Sequence, residues 1–241
     1  MSGTLRDEST SEPSINNDEI KDFRTKRTQT LTEINKIFHR SPIDDMIPAF
    51  TPVKMAWSEE DCQNIITTFQ EHGHYIAGQI NMPNKERRHS ERRNIRSVGV
   101  WQWDEELLYE HIMSIFNQVN DKMYGYDLWD IEIPQLCVYY DKDAGHYSWH
   151  QDLTPYPYEL DQDKMCRKLS MSILLNDSSE FEGGEMQCFY GIHSNGEPAF
   201  VTAPLHKPGD GVIFDSTTYH RVKRVTRGTR AALVVWCWGK R

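Results

Sequence analysis

The spacing of hydrophobic residues changes about half way along this chain. Before Tyr124, two stretches place apolar residues three and four apart, as in an amphipathic helix. Ser58 and Asp61 suit a capping box for the first stretch, and Asp104 suits an N-cap for the second. These patterns predict two helices with one buried face each, formed by Cys62, Ile65, Ile66 and Phe69 in the first and by Leu108, Ile112, Ile115, Phe116, Val119 and Met123 in the second.

After Tyr124 the apolar runs are short, and Gly, Pro, Asp and Asn separate them. This texture is typical of β-strands joined by turns. Short strands that follow a helical lead-in favour an all-β core with supporting helices: a jelly-roll, or double-stranded β-helix, with N-terminal helices packed on one sheet. The predicted strands are residues 132–140, 147–152, 169–176, 184–190, 199–203, 211–214, 220–223 and 230–238.

Composition divides the chain into three predicted regions. Residues 1–27 are rich in Ser, Thr, Asn, Asp and Glu, so we expect a disordered tail there. Residues 28–95 are expected to form a helical support region, and residues 96–241 the double-stranded β-helix domain. The whole chain has 241 residues and is 38% hydrophobic, which is enough for a sizeable core.

Charge and cysteine content narrow the expected partners. A formal net charge of −9 argues against a protein that coats nucleic acid. The chain lacks a long apolar run, so we expect no membrane partner and no secretion signal. The five cysteines show no CxxC spacing, which favours reduced thiols and a cytoplasmic location. The pattern does not indicate an oligomeric state.

His150, Asp152 and His220 are the strongest candidates for chemistry. His150 and Asp152 are two apart in a predicted strand, so both side chains point to one face. If His220 joins them from a neighbouring strand, two nitrogens and one oxygen lie on one side of a metal. This ligand set, with the opposite positions open, is typical of non-haem Fe(II) oxygenases. His-x-Asp is weak evidence alone, but here turns with glycine precede both parts of the set.

Arg230 lies ten residues after His220, at the start of an apolar strand. Burying an arginine without an anion is costly, so a buried Arg230 would require a carboxylate. A dicarboxylate co-substrate satisfies this requirement and can place its other end on the metal. Thr229 and Tyr140 are candidate hydroxyl donors to the same ligand. The alternative is a surface salt bridge at the strand start.

Residues 85–96 form a basic run, KERRHSERRNIR, that two glutamates interrupt. The simpler interpretation is a solvated loop, as for most charge runs. The alternative is an electropositive lip for an anionic substrate or an acidic partner segment.

The C-terminal half resembles the Fe(II)/2-oxoglutarate-dependent dioxygenases of the prolyl 4-hydroxylase-like superfamily, including the PKHD-type hydroxylases. The resemblance covers roughly residues 95–240. It rests on ordered blocks: Tyr140 with GHYSWHQD at 145–152, LSMSILLN at 169–176, FEGGE at 181–185, and PGDGVIF at 208–214 followed by His220 and VTRGTR at 225–230.

This resemblance implies iron ligands at His150, Asp152 and His220, and it implies that Arg230 binds the distal carboxylate of 2-oxoglutarate. Tyr140 occupies a position that often supports this co-substrate. Leu174 departs from the family pattern, because some protein prolyl hydroxylases carry a tyrosine there. The Gly183-Gly184 pair is expected to shape a turn that enters a core strand.

The expected function is hydroxylation of a prolyl or similar residue in a peptide or protein, coupled to decarboxylation of 2-oxoglutarate to succinate and CO2. Fe(II), 2-oxoglutarate and O2 are implied, and ascorbate is a candidate reductant. The alternatives are a hydroxylase of a free amino acid or other small molecule, a cupin-like Zn or Mn enzyme without 2-oxoglutarate, and a non-catalytic module that keeps the fold.

Overall fold

The structure, a computed structural model, describes residues 48–55, 57–72, 76–77, 79–81, 87–89, 93–99, 105–153, 165–192 and 198–240. They all lie within one compact unit, Met46–Arg241. The predicted tail at residues 1–27 and the first part of the 28–95 region lie outside the described residues.

Two helices occupy the predicted positions, α1 at Glu59–His72 and α2 at Glu105–Met123. The predicted capping box opens α1: the Ser58 backbone N–H donates to Asp61 Oδ2 (2.7 Å), and the Asp61 N–H donates to Ser58 Oγ (3.1 Å). After α2, Gly125 takes a left-handed conformation with φ of 67°. The buried helix residues that the structure describes are Cys62, Ile65, Ile66, Ile112, Phe116 and Val119.

Sixteen strands and two short 3-10 helices, Asp141–Asp143 and Ser178–Glu180, make up the rest of the elements in the described residues. Their bounds are β1 Thr51–Lys54, β2 Ile76–Ala77, β3 Gln79–Asn81, β4 Arg87–His89, β5 Arg93–Asn94, β6 Arg96–Gly99, β7 Leu128–Ile131, β8 Gln135–Tyr140, β9 His146–His150, β10 Met165–Leu174, β11 Phe181–Gly183, β12 Met186–Ile192, β13 Pro198–Thr202, β14 Asp210–Asp215, β15 His220–Val222 and β16 Val225–Lys240.

The strands form two main antiparallel sheets. The major sheet has the order β1-β14-β10-β16-β8-β6-β2, and β7 and β11 also pair with β16. The minor sheet has the order β13-β12-β15-β9-β5, and β3 and β4 form a separate hairpin. This is the predicted jelly-roll, and a strand lies at each of the eight predicted positions. The 28–95 region also supplies strands β1–β5, which the sequence analysis did not predict.

Strand alternation gives the major sheet two different faces. One face packs on the helices through a cluster that includes Leu136, Leu169, Ile213, Leu233 and Val235. The opposite face lies inside the jelly-roll and forms a smaller cluster of Ile95, Cys137, Tyr139, Leu174, Phe181, Val222 and Val225. The interior cluster matters for function, because Arg230 is the register partner of Tyr139, and strand alternation therefore directs Arg230 to this side as well.

The five cysteines, Cys62, Cys137, Cys166, Cys188 and Cys237, are all free and buried. This agrees with the expectation of reduced thiols. Among the described residues, neither helix is long and apolar enough to cross a membrane.

Candidate active site

The two histidines of the predicted triad face each other across neighbouring strands. His150 on β9 and His220 on β15 are direct antiparallel partners. Their ring centroids are 4.1 Å apart. A register shift lies between this pair and the next one, Tyr147 with Val222, so that β9 uses three residues where β15 uses two. The extra residue lets Tyr147 and His150 share one face, and their rings stack at 3.5 Å.

Backbone carbonyls hold both imidazoles in one tautomer. Nδ1 of His150 lies 2.8 Å from the Ser148 carbonyl oxygen, and Nδ1 of His220 lies 3.0 Å from that of Thr218. A carbonyl oxygen can only accept, so each Nδ1 carries the proton and each Nε2 keeps its lone pair. Neutral imidazole with a free Nε2 is the form that binds a metal.

Asp152 completes the cluster from just beyond the end of β9. Its carboxylate oxygens each lie 3.5 Å from an imidazole Nε2, Oδ1 from that of His150 and Oδ2 from that of His220. The Asp152 and Leu153 backbone N–H groups both donate to the Ser216 carbonyl at 2.9 Å. The strand predicted at 147–152 therefore ends at His150, two residues early. Hydrogen bonds to Ser216, and not strand pairing, hold the segment that carries Asp152.

Burial and charge favour the metal-binding protonation states. Burial lowers the pKa of His220 to about 4, and the His150 imidazole acts in the same direction, so the ring is neutral at pH 7. Burial alone would raise the pKa of the Asp152 carboxyl. The His220 and His150 imidazoles outweigh that effect and hold its pKa below the usual range.

The cluster fits one divalent metal ion. The ligand atoms of His150, Asp152 and His220 all lie within 4.8 Å of one another. Two ligands bound at right angles and about 2.1 Å from a metal are about 3 Å apart, so the observed 3.5 Å requires only a small adjustment. Three ligands on one side leave the opposite positions open, as in the facial triad of non-haem iron sites.

The turn between β14 and β15 braces two of the three ligands, which sequence reasoning missed. Asp215 accepts from the Thr217 backbone N–H (2.8 Å) and hydroxyl (2.6 Å), and its other carboxylate oxygen accepts from the Tyr126 hydroxyl. The same turn presents the Ser216 carbonyl to Asp152 and the Thr218 carbonyl to His220. Tyr126 and Asp215 are 89 residues apart, so the pattern of the chain carries no signal for this contact.

Arg230 lies in the interior of the jelly-roll, as the sequence predicts. It is 2% exposed and is the largest fully buried side chain in the described part of the chain. Neither Nη1 nor Nη2 has a hydrogen-bond partner among the described residues. Its guanidinium carbon lies 5.2 Å from the Tyr139 ring centroid. Burial lowers the pKa of Arg230, but an arginine stays protonated, so the site holds an uncompensated positive charge. This position excludes the alternative of a surface salt bridge.

Two residues that sequence reasoning missed or only partly understood shape the Arg230 site. The Asn176 side chain bridges the backbone on both sides of Arg230: Nδ2 donates to the Thr229 carbonyl (2.9 Å), and Oδ1 accepts from the Ala231 N–H (2.8 Å). Gly184 has φ of 69°, and a Cβ there would lie 3.0 Å from Arg230 Cδ. The glycine pair thus shapes a turn, as predicted, and Gly184 also makes room for the arginine stem.

The predicted hydroxyl donors lie on the other face of the sheet. Tyr140 packs against the helix-facing cluster, and Thr229 is its register partner on β16. Arg230 is instead the register partner of Tyr139, which is buried in the interior cluster. It stays a prediction that Tyr140 and Thr229 contact a co-substrate. Their position on the helix-facing side of the sheet does not favour it. Tyr139 is the tyrosine beside the guanidinium. Leu174, which departs from the family pattern, lies in the interior cluster.

Fold and site define a jelly-roll protein with a non-haem iron triad and a buried cation for an anionic ligand. Residues 134–238 match the family model described as the 2OG-Fe(II) oxygenase superfamily. The superfamily takes its name from 2-oxoglutarate and Fe(II). The triad suits the metal, and Arg230 suits a carboxylate of 2-oxoglutarate.

Curated relatives and solved structures agree with this assignment. The chain is 33% identical over 95 residues to a PKHD-type hydroxylase of Hyphomonas neptunium, a match that covers 39% of this chain and 38% of the relative. It is 41% identical over 70 residues to PKHD-type hydroxylases of Xylella fastidiosa, covering 28% of this chain and 26% of theirs. The chain spans well under half the length of these relatives.

A solved prolyl hydroxylase of Trichoplax adhaerens, in complex with a hypoxia inducible factor peptide fragment, shares the fold with a TM-score of 0.59 at 16% identity, over 79% of this chain and 84% of the other. A prolyl-4-hydroxylase of Pseudomonas putida has a TM-score of 0.54 at 16% identity, over 80% and 93% of the two chains. At such identities the likeness concerns the fold.

Proposed function

We propose that this protein is an Fe(II)- and 2-oxoglutarate-dependent hydroxylase whose substrate is a prolyl or similar residue in a peptide or protein. The observation that carries the proposal is the pairing of two sites in one interior. His150, Asp152 and His220 offer three metal ligands on one side. Arg230 offers a buried guanidinium whose terminal nitrogens lack a protein partner among the described residues.

Arg230 distinguishes this proposal from a zinc or manganese enzyme of cupin type. Such an enzyme would use the same metal ligands without a dicarboxylate co-substrate, and it would have no need for an unpaired buried cation. Leaving a charge buried and unpaired costs several kcal/mol, so its presence indicates a ligand that neutralises it. A carboxylate that binds both terminal nitrogens does so with two charge-assisted hydrogen bonds.

Each part of the site has a defined task. Nε2 of His150, Nε2 of His220 and the Asp152 carboxylate would hold Fe(II), with both imidazoles kept in the required tautomer by the Ser148 and Thr218 carbonyls. Arg230 would orient the co-substrate by its distal carboxylate. Apolar residues of the interior cluster, such as Phe181 and Val225, would exclude water around the reacting groups.

When bound, Fe(II) supplies the redox chemistry that allows O2 to react with 2-oxoglutarate and with a C–H bond. One oxygen atom of O2 enters succinate and the other enters the hydroxylated product. 2-Oxoglutarate loses CO2 and two electrons, and the substrate C–H bond loses two electrons, so that O2 accepts four. The protein residues place the reactants and do not change their own redox state.

The names of the relatives support the substrate part of the proposal. The matched curated proteins are called PKHD-type hydroxylases, and two solved structures with this fold are prolyl hydroxylases. The other substrate class to test is a free amino acid or another small molecule.

The test is succinate formation by anaerobically purified protein that receives Fe(II) and 2-oxoglutarate and then air. It should be run alone, with proline-containing peptides, with free amino acids, and with and without ascorbate. Iron-dependent succinate that one peptide stimulates, together with a mass increase of one oxygen atom on that peptide, is the expected result. Stimulation by a free amino acid and by no peptide would contradict the substrate class. No succinate from an iron-loaded protein, with zinc or manganese retained through purification, would contradict the reaction.

A further inference from the structure

The basic run contributes one arginine to the interior. Within this run, Arg93 lies on β5, which pairs with β9, and Arg93 is the register partner of Tyr147. The Arg93 guanidinium carbon lies 4.7 Å from the Tyr147 ring centroid. Because the Tyr147 ring stacks on His150 at 3.5 Å, Arg93 is one aromatic ring away from a metal ligand. At Arg93, this placement departs from the solvated-loop interpretation of the run.

Arg93 and Arg230 have common neighbours. Arg93 donates a hydrogen bond to the Cys137 thiol, and both guanidinium groups act electrostatically on Cys137 and Tyr139. Asp152 is among the charged neighbours of Arg93, whereas the neighbours that act on Arg230 are Tyr139 and Cys137. The interior thus holds two guanidinium groups, and Arg93 is the one that contacts Tyr147, the ring stacked on the metal ligand His150.

This arrangement matches a ligand with two carboxylates. The distal carboxylate of 2-oxoglutarate suits Arg230, and its other carboxylate belongs at the metal. A guanidinium has five N–H donors, so Arg93 can contact a carboxylate while it keeps its contacts with Cys137 and Tyr147. Resting on the proposed function, we propose that Arg93 is a second co-substrate-binding residue, which contacts the metal-side carboxylate of 2-oxoglutarate.

Two other roles for Arg93 make different predictions. If Arg93 only supports the Tyr147 ring and through it His150, its loss weakens metal binding. If Arg93 contacts the primary substrate, its loss leaves both metal and co-substrate binding unchanged. Direct binding measurements therefore separate the three roles without reference to turnover.

The experiment compares two ligands on anaerobic, Mn(II)-loaded full-length protein. 2-Oxoglutarate has a metal-chelating end and a distal carboxylate. Oxalate can chelate the metal in the same way but has no distal carboxylate. Dissociation constants are measured by calorimetry for the unsubstituted protein, Arg93→Gln, Arg93→Lys and Arg230→Met. The matched control is Arg221→Gln, because the Arg221 guanidinium also lies 4.7 Å from an aromatic ring, that of Trp149, next to the partly exposed Phe200.

Arg93→Gln should weaken the binding of 2-oxoglutarate and of oxalate by a similar factor, about tenfold or more. The reason is that a charge-assisted contact is lost at the metal-chelating end, which both ligands share. Arg93→Lys should restore part of this affinity. Arg230→Met should weaken 2-oxoglutarate and leave oxalate unchanged, and Arg221→Gln should change neither.

Three results would overturn the assignment of Arg93: unchanged affinity for both ligands, a loss confined to 2-oxoglutarate, or a loss of Mn(II) affinity in place of ligand affinity. If the unsubstituted, metal-loaded protein does not bind 2-oxoglutarate at all, the proposed function fails instead. The two failures are therefore distinguishable.

Discussion

The two ends of the site differ in whether the protein itself supplies hydrogen-bond partners for their polar groups. At the metal end, each imidazole Nδ1 has a carbonyl partner, and the segment that carries Asp152 is held by the Ser216 carbonyl. At the other end, Arg230 is buried more deeply than these ligands, but Nη1 and Nη2 have no partner among the described residues. One end is organised by the protein itself, and the other requires a ligand.

This difference shows what kind of observation reveals each site. The metal end is recognised by the convergence of ligand atoms and by the bonds that orient them. The Arg230 end is recognised by a missing partner, since a buried guanidinium cannot lose its charge. The stability of the ligand-free protein should therefore be limited at the Arg230 end, and 2-oxoglutarate should relieve this cost.

The largest expected effect is at the metal end. His150→Ala and Asp152→Ala each remove a direct ligand, so Fe(II) affinity should fall more than ~100-fold, above the usual effect of losing an outer partner. Turnover should be lost with it. His146→Ala is the matched control, because His146 lies on the same strand and its Nδ1 bonds the Ala144 carbonyl at 2.8 Å. Equal loss of iron in all three variants, measured by metal analysis after dialysis, would show that the triad is not the binding site.

Arg230→Met tests the ligand-dependent end. Loss of a buried charge pair should raise the 2-oxoglutarate dissociation constant by about 100-fold. The same change should raise the melting temperature of the ligand-free protein, by roughly 5 °C, because it removes an unpaired buried charge.

Arg167→Met is the comparison for this variant. Arg167 is also largely buried, but it pairs with Glu132 through two hydrogen bonds of 2.8 and 2.7 Å. Its loss should lower the melting temperature, since Glu132 is left without that partner. A lower melting temperature for ligand-free Arg230→Met as well would contradict the idea that the Arg230 end is unsatisfied.

Asp215→Ala tests whether the turn between β14 and β15 organises the metal end. Removing the acceptor for Thr217 and Tyr126 should loosen the carbonyls that hold Asp152 and His220, and it should weaken metal binding by about tenfold. Asp177→Ala is the control, because Asp177 also caps a turn, accepting from the Ser179 N–H at 2.9 Å. Titration with a fluorescent chelator as competitor measures the metal affinity of both variants. Equal affinities would argue against a role of this turn in metal binding.

The smallest effect concerns the space around Arg230. Gly184→Ala and Gly125→Ala both place a side chain in the left-handed region, at φ of 69° and 67°, and each should cost about 1–2 kcal/mol of stability. A Cβ at Gly184 also meets Arg230 Cδ, whereas a Cβ at Gly125 meets nothing within 4 Å. Calorimetry should therefore show weaker 2-oxoglutarate binding for Gly184→Ala alone. The same affinity in both variants would mean that the glycine acts on the backbone and not on the arginine.

Much of this architecture could be predicted from local pattern. Turn residues around short apolar runs indicated eight strands, and His150, Asp152 and His220 could be assigned from residue type and context. Arg230 could be assigned because the apolar run that follows it predicts burial. Each of these predictions depends on the local sequence around the residue concerned.

The features that were not predicted depend on which face of a strand a residue occupies, and on contacts between residues far apart in the chain. Tyr139 and Tyr140 are equivalent in a strand pattern until pairing with β16 decides which one lies beside Arg230. The basic run resembles a solvated loop, and only the pairing of β5 with β9 brings Arg93 next to Tyr147. Pattern analysis likewise gives no signal for the Tyr126–Asp215 contact, which joins residues 89 apart.

The most direct test of the two-ended account is an anaerobic crystal structure with Mn(II) and 2-oxoglutarate. The account predicts metal on His150, Asp152 and His220, with one end of 2-oxoglutarate on the metal and its distal carboxylate bonded to Nη1 and Nη2 of Arg230. A distal carboxylate bound elsewhere, with the Arg230 nitrogens still unpaired, would contradict it.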